Sequence, residues 1–137
     1  MRELVNVMKA LSDPGRVKVL KMLEGRELCA CEIIGLLGLA QPTVSRHLKV
    51  LVDAGLIVGR KVGSWVHYRL ALGPDAASPY AQSMLATLPG WLEDDPEIKS
   101  MRQALGGLAP LAINSTLADQ REGQQGGRQD CCDTAKP

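Results

Sequence analysis

The chain has 137 residues, 45% apolar but without Phe and with only 3% aromatics, so Leu, Val, Ile and Ala must fill one modest core; this suits a small helical domain rather than an aromatic-rich sandwich. The formal charge of +1 says little until it is divided: residues 41–70 carry Arg46, Lys49, Arg60, Lys61 and Arg69 against Asp53 alone, a local net of +4 that leaves −3 for the rest. The longest apolar-plus-Gly run, Ile33 to Ala40, is far below the roughly 20 residues of a membrane span, and the opening Met-Arg-Glu-Leu is no apolar signal, so a cytoplasmic protein with no membrane partner is expected.

In chain order, a first helix is predicted over Arg2 to Leu11, with Leu4, Val7, Met8 and Leu11 on one stripe. Ser12-Asp13-Pro14 is a start signal with Ser12 as the expected cap, and the second helix runs to about Leu23, ended by Gly25. A short third helix starts near Cys31 and ends by Gly38, burying Ile33, Leu36 and Leu37. Gln41-Pro42 opens a fourth, closed by Gly55, with Val44, Leu48 and Leu51 as its core stripe and Pro42, Arg46, Lys49 and Asp53 pointing away. Between Leu56 and Leu72 the period changes to two: Val66, Tyr68 and Leu70 alternate with Trp65, His67 and Arg69, and Gly63 marks the turn of a hairpin. Ser78-Pro79 opens another helix with Tyr80, Met84, Leu85 and Leu88 as its apolar face, broken by Pro89-Gly90, and Asp95-Pro96 starts one more to about Leu105. Residues 1–109 read as one domain and 110–137 as a flexible tail, in which Gln, Gly and charge dominate from Asp119 and a vicinal pair, Cys131-Cys132, is carried.

This order of helices followed by a hairpin is that of a winged helix-turn-helix, mainly α with a small β-hairpin, in which the third and fourth helices form the bihelical unit. Insertion into a major groove needs one apolar face for anchoring and one polar, basic face for base edges and phosphates. The fourth helix has both. Gln41, Thr43, Ser45 and Arg46 are expected near base edges, and Lys49, Arg60, Lys61 and Arg69 at phosphates, where they position without specifying. His47 reads as a partly buried helix residue and His67 as a residue of the exposed hairpin face within reach of phosphate.

The segments Glu-Leu-Cys-Ala-Cys-Glu, Gln-Pro-Thr-Val-Ser-Arg-His-Leu, Leu-Val-Asp-Ala-Gly-Leu and Trp-Val-His-Tyr-Arg-Leu occur in the order seen in one family. Through them, residues 1–72 resemble the ArsR/SmtB family of metal-responsive repressors, in particular its arsenic-sensing branch. The resemblance implies a homodimer joined by the first helix and the helix after the hairpin, on a pseudo-palindromic double-stranded operator with half-sites roughly 10 bp apart. The surplus of apolar side chains on those helices (Leu4, Met8, Met84, Leu85, Leu88) agrees with this.

In a cytoplasmic protein, cysteines read as ligands or redox thiols rather than as staples. Cys29 and Cys31, two residues apart, would diverge on a regular helix, so Cys29 is expected in the turn before the third helix, where both sulfurs can face one ion. The helix N-terminus favours thiolate, and thiolates select soft ions over Mg, Ca or Mn. The arsenic-sensing pattern that the chain resembles is Cys-x-Cys-x-x-Cys, but its third position here is Ile34, which cannot coordinate. A hydroxide, an exogenous thiol, or Cys131 or Cys132 across a linker of about 22 residues spanning roughly 25 Å would complete the set. The family's second type of site needs His on the dimer helix, and residues 75–105 contain none, so zinc is not expected there.

The expected function is a repressor, not an enzyme, released from DNA when As(III) or Sb(III) binds Cys29 and Cys31, with Cys131 and Cys132 as further metal candidates. Three rivals stand beside it. The same fold could respond to Cd(II), Pb(II) or thiol oxidation. A small thiol enzyme lacks a Cys-x-x-Cys, a phosphate-cradling glycine loop and a general base. A pure interaction module would have no DNA affinity.

Overall fold

A computed structural model describes residues 1–106. The elements in order are α1 (Arg2–Ala10), α2 (Pro14–Met22), β1 (Leu28–Cys29), α3 (Ala30–Leu37), α4 (Gln41–Asp53), β2 (Ile57–Val62), β3 (Trp65–Leu70), α5 (Pro79–Thr87) and α6 (Pro96–Gly106), with single 3-10 turns at Gly73–Asp75 and Leu88–Gly90. The expected 109/110 domain limit and the Cys131-Cys132 pair lie outside the described residues. The fold is a winged helix: mostly helical, with a three-stranded antiparallel sheet in the order β1-β3-β2.

The core is aliphatic, as the lack of Phe requires, and Val19, Leu20, Leu23, Ile33, Val44, Leu51 and Leu56 are fully buried within it. On α4 the stripe Val44, Leu48, Leu51 faces inward while Pro42, Arg46, Lys49 and Asp53 are exposed, as the helical period predicts. The α3–α4 turn is set by Gly38, whose φ of +66° ends α3 in the left-handed conformation that glycine adopts without strain. The hairpin turns on Gly63-Ser64, with Val62 opposite Trp65.

Several local expectations change. Asp13 caps α2, its carboxylate accepting from the N–H groups of Gly15 (2.8 Å) and Arg16 (3.3 Å). Ser12 instead donates its hydroxyl to the Lys9 carbonyl at 2.6 Å and closes α1. Both residue types cap helices well, and the phase of Pro14 in the first turn decides between them. Leu36 and Leu37 are only partly buried at the edge of the core. A third strand joins the sheet: Leu28 and Cys29 pair with Tyr68 and His67.

A buried lysine ties α2 to the segment that leads into α6. The Lys21 side chain is 0% exposed and donates to the Leu88 carbonyl (3.1 Å) and to Glu93 Oε1 (3.0 Å), beside Glu24. Arg102 of α6 completes the group, bonding Glu93 (2.7 Å) and approaching Glu24 (3.5 Å). Hydrogen bonds from Arg102 and Lys21 hold the Glu93 carboxyl at about 2, far below its ordinary range.

Candidate nucleic-acid interface and thiol site

The proposed reading surface begins with the exposed face of α4. Ser45, Arg46 and Lys49 are solvent-facing, and Gln41 and Thr43 flank them half-buried at the helix N-terminus. Lys49 lies 3.3 Å from Asp53 one turn on, an exposed pair that a phosphate can replace at little cost. The inner side of α4 is braced: Arg16 bonds the carbonyls of Ala10 (2.8 Å) and Lys9 (2.9 Å) and stands 3.4 Å from His47 Nδ1. His47 is buried, as expected, with Nε2 3.6 Å from Asp13. Burial works to raise the Asp13 carboxyl, but hydrogen bonds from the Arg16 and Gly15 backbone and the charges of His47 and Arg16 outweigh it and hold it below its ordinary value. The cap of α2 thus also orients α4.

The hairpin carries Arg60 and Lys61, both exposed, near its turn. Arg60 donates to Glu27 Oε1 at 2.9 Å. Arg69 lies at the other end of β3, opposite Val58, and is ion-paired with Asp75. The structure therefore brings Gln41, Thr43, Ser45, Arg46 and Lys49 onto one helix and Arg60 and Lys61 onto the wing, and places Arg69 at the wing's base. His67 is not on an open face: its side chain is 16% exposed, with Nδ1 3.8 Å from Glu27. Sequence reasoning missed Glu27, since nothing in the chain's spacing pairs it with a residue 33 positions later.

Cys29 is the extended N-cap of α3, at φ −79° and ψ 157°, and Cys31 sits in the first turn. The expected placement of Cys29 ahead of the helix is the one observed. The backbone N–H of Cys29 donates to Glu32 Oε1 at 3.1 Å, which fixes the entry into α3. Both cysteines are buried, at 6% and 3% exposure, in a small cluster of their own covered by Trp65. Their sulfurs meet and are joined as a disulfide, with the Cα atoms 5.5 Å apart. Ile34 packs against the main core, so that position offers no donor. Among the described residues no group of three or more His, Cys, Asp or Glu side chains is placed to hold a metal.

The family of bacterial regulatory proteins described as arsR matches residues 13–58, which span α2 to the start of β2. The arsenic resistance transcriptional regulator ArsR2 of Pseudomonas putida is 36% identical over 94 residues, 66% of this chain and 80% of that protein. The chain belongs to the ArsR family. An arsenical resistance operon repressor of Staphylococcus xylosus is 44% identical over 69 residues, 50% of this chain and 66% of its own length. Among solved structures, HlyU from Vibrio cholerae superposes with a TM-score of 0.52 at 31% identity, covering 64% of this chain and 88% of that one. The chain spans less than two thirds of the length of several of the curated ArsR-family relatives that it matches, the staphylococcal repressor included.

Proposed function

We propose that this chain is a dimeric transcriptional repressor that binds double-stranded operator DNA through α4 and the wing and is released when As(III) or Sb(III) is captured by Cys29 and Cys31. The observation that carries the reading is the convergence of two buried sulfurs at the N-terminus of α3, the first helix of the helix-turn-helix. Relatives named as arsenical resistance repressors support the inducer class. Gln41, Thr43, Ser45 and Arg46 are assigned to base edges, and Lys49, Arg60 and Lys61 to phosphates. Arg69 is assigned to phosphate as well, through exchange of Asp75. Cys131 and Cys132 are the chain's own candidates for the third donor that Ile34 cannot supply. Of the five apolar residues expected in surplus, Leu85 and Leu88 are buried in the chain's own core and only Met8 is more than one third exposed; with Val5 on α1 and Tyr80 on α5, which are also more than one third exposed, it supplies an apolar surface for the second copy.

A coupling of about 3 kcal/mol between inducer and operator suffices to weaken DNA binding by roughly 150-fold. The test is fluorescence anisotropy of the reduced protein on a labelled promoter fragment, titrated with arsenite. Loss of anisotropy at low arsenite in the wild type, abolished in Cys29→Ser and Cys31→Ser, is expected. Normal release by either variant refutes the assignment, and Cys131→Ser and Cys132→Ser report on the third donor.

The joined sulfurs favour a second reading, release by oxidation. Two thiols then give up two electrons and two protons to a peroxide, which is reduced to water as the Cys29–Cys31 bond forms. A reversible response to peroxide that persists in chelator selects this reading over metal capture.

A further inference from the structure

Strand register places Cys29, His67 and Arg60 on one rung of the sheet: Cys29 is opposite His67, and His67 is opposite Arg60. Residues directly opposite in antiparallel strands present their side chains to the same face. Two strand spacings, roughly 10 Å, therefore separate the thiol residue from a basic residue of the wing. Trp65, two residues before His67 and on that same face by alternation, covers the cysteine pair. Glu27, two residues before Cys29, closes the row. Its side chain is only 13% exposed, and Oε1 lies 2.9 Å from Arg60 and 3.8 Å from His67.

We propose that Glu27 is a positioning residue that transmits the state of the Cys29–Cys31 pair across the sheet to Arg60, so that the wing, and not α4 alone, is an output of the thiol site. The inference rests on the arsenic-responsive reading above. β1 is two residues long and is continuous with the N-cap of α3, so Cys29 cannot move without moving its rung. Capture of an ion by the reduced pair draws both sulfurs onto one centre and so sets a new direction for the Cys29 side chain. Seating the ion therefore shifts β1 against β3, and Glu27, carried on the same short segment, alters its hold on Arg60. The wing then loses the geometry in which Arg60 and its neighbour Lys61 meet the phosphates. Removing the carboxylate leaves Arg60 its charge but uncouples it from the thiols.

The experiment uses the full-length reduced protein as wild type, Glu27→Gln, Arg60→Gln and the double variant. For each, arsenite binding is followed by thiolate absorbance, operator affinity is measured with and without arsenite, and a melting curve is recorded. The expected result is unchanged arsenite affinity in Glu27→Gln with an arsenite-induced affinity ratio about tenfold smaller than in wild type, and no further loss in the double variant. A ratio that stays at the wild-type value in Glu27→Gln overturns the proposal, even if the melting temperature falls, because a merely structural role lowers stability without touching the ratio. Strictly additive single and double variants overturn it too. A wild type that binds arsenite without releasing DNA, or binds none, refutes the underlying reading and the inference together, and is recognised in the same titration.

Discussion

Lys21→Met isolates one ammonium group in the contact between α2 and the segment that leads into α6. The Lys21 side chain is 0% exposed, and Met preserves most of its aliphatic stem while deleting the charge. Removing one partner of a buried ion pair typically costs about 3–5 kcal/mol. Here the cost is smaller for three reasons. Glu93 is 44% exposed and reaches water. Both carboxylates keep Arg102, at 2.7 Å for Glu93 and 3.5 Å for Glu24. The Leu88 carbonyl keeps the Trp91 N–H at 3.0 Å. A loss of about 2 kcal/mol is therefore expected, which for a domain of this size lowers Tm by roughly 10 °C. Thermal unfolding followed by circular dichroism at fixed protein concentration measures it, with arsenite affinity as a control that should not change. A variant as stable as wild type, or more so, refutes the reasoning; the contacts of the ammonium would then only match the hydration it gave up.

Stability should also fall in acid through Glu93. Its folded carboxyl is held at about 2, below its ordinary 4.5, so its contribution is complete above that ordinary value and is lost as pH falls toward about 2; Glu93→Gln should flatten the acid limb of Tm against pH. Gly55→Ala should destabilise by about 1–3 kcal/mol in urea unfolding, because φ is +76° and the new Cβ would sit 2.5 Å from that of Ala77; Gly63→Ala, at φ +63° with open space around it, should lose only about 1–2 kcal/mol. In operator binding, Lys61→Ala should weaken all sequences alike and reduce the salt slope by about one, whereas Arg46→Ala should cost about 1–3 kcal/mol on the operator and little on unrelated DNA.

The helices and the hairpin are legible in the sequence because each carries its own signal: the period of Val44, Leu48 and Leu51, the alternation from Trp65 to Leu70, and the prolines at 14, 42, 79 and 96. β1 carries none. Leu28 and Cys29 are strand only because Tyr68 and His67 offer backbone partners, a contact made by tertiary packing. For the same reason His67 reads as exposed in the sequence and is sheltered in the fold. The partners of the buried Lys21 ammonium, Leu88 and Glu93, lie 67 and 72 positions farther along the chain, so no local pattern announces it. In the candidate site, the convergence of Cys29 and Cys31 follows from their spacing and the helix start. Their cover by Trp65 and the tie from Glu27 to Arg60 depend on register between distant strands, which the chain's periodicities leave open.

The sheet order β1-β3-β2 has a bearing on solubility. β3 is flanked on both sides, and β2 is left as the long outer edge. A strand edge invites pairing with other chains, which can grow into fibres. Here that edge carries Gly59, Arg60 and Lys61 in sequence, all exposed. Two such edges brought together would set like charges against each other, so Arg60 and Lys61 oppose the pairing of neighbouring copies strand to strand.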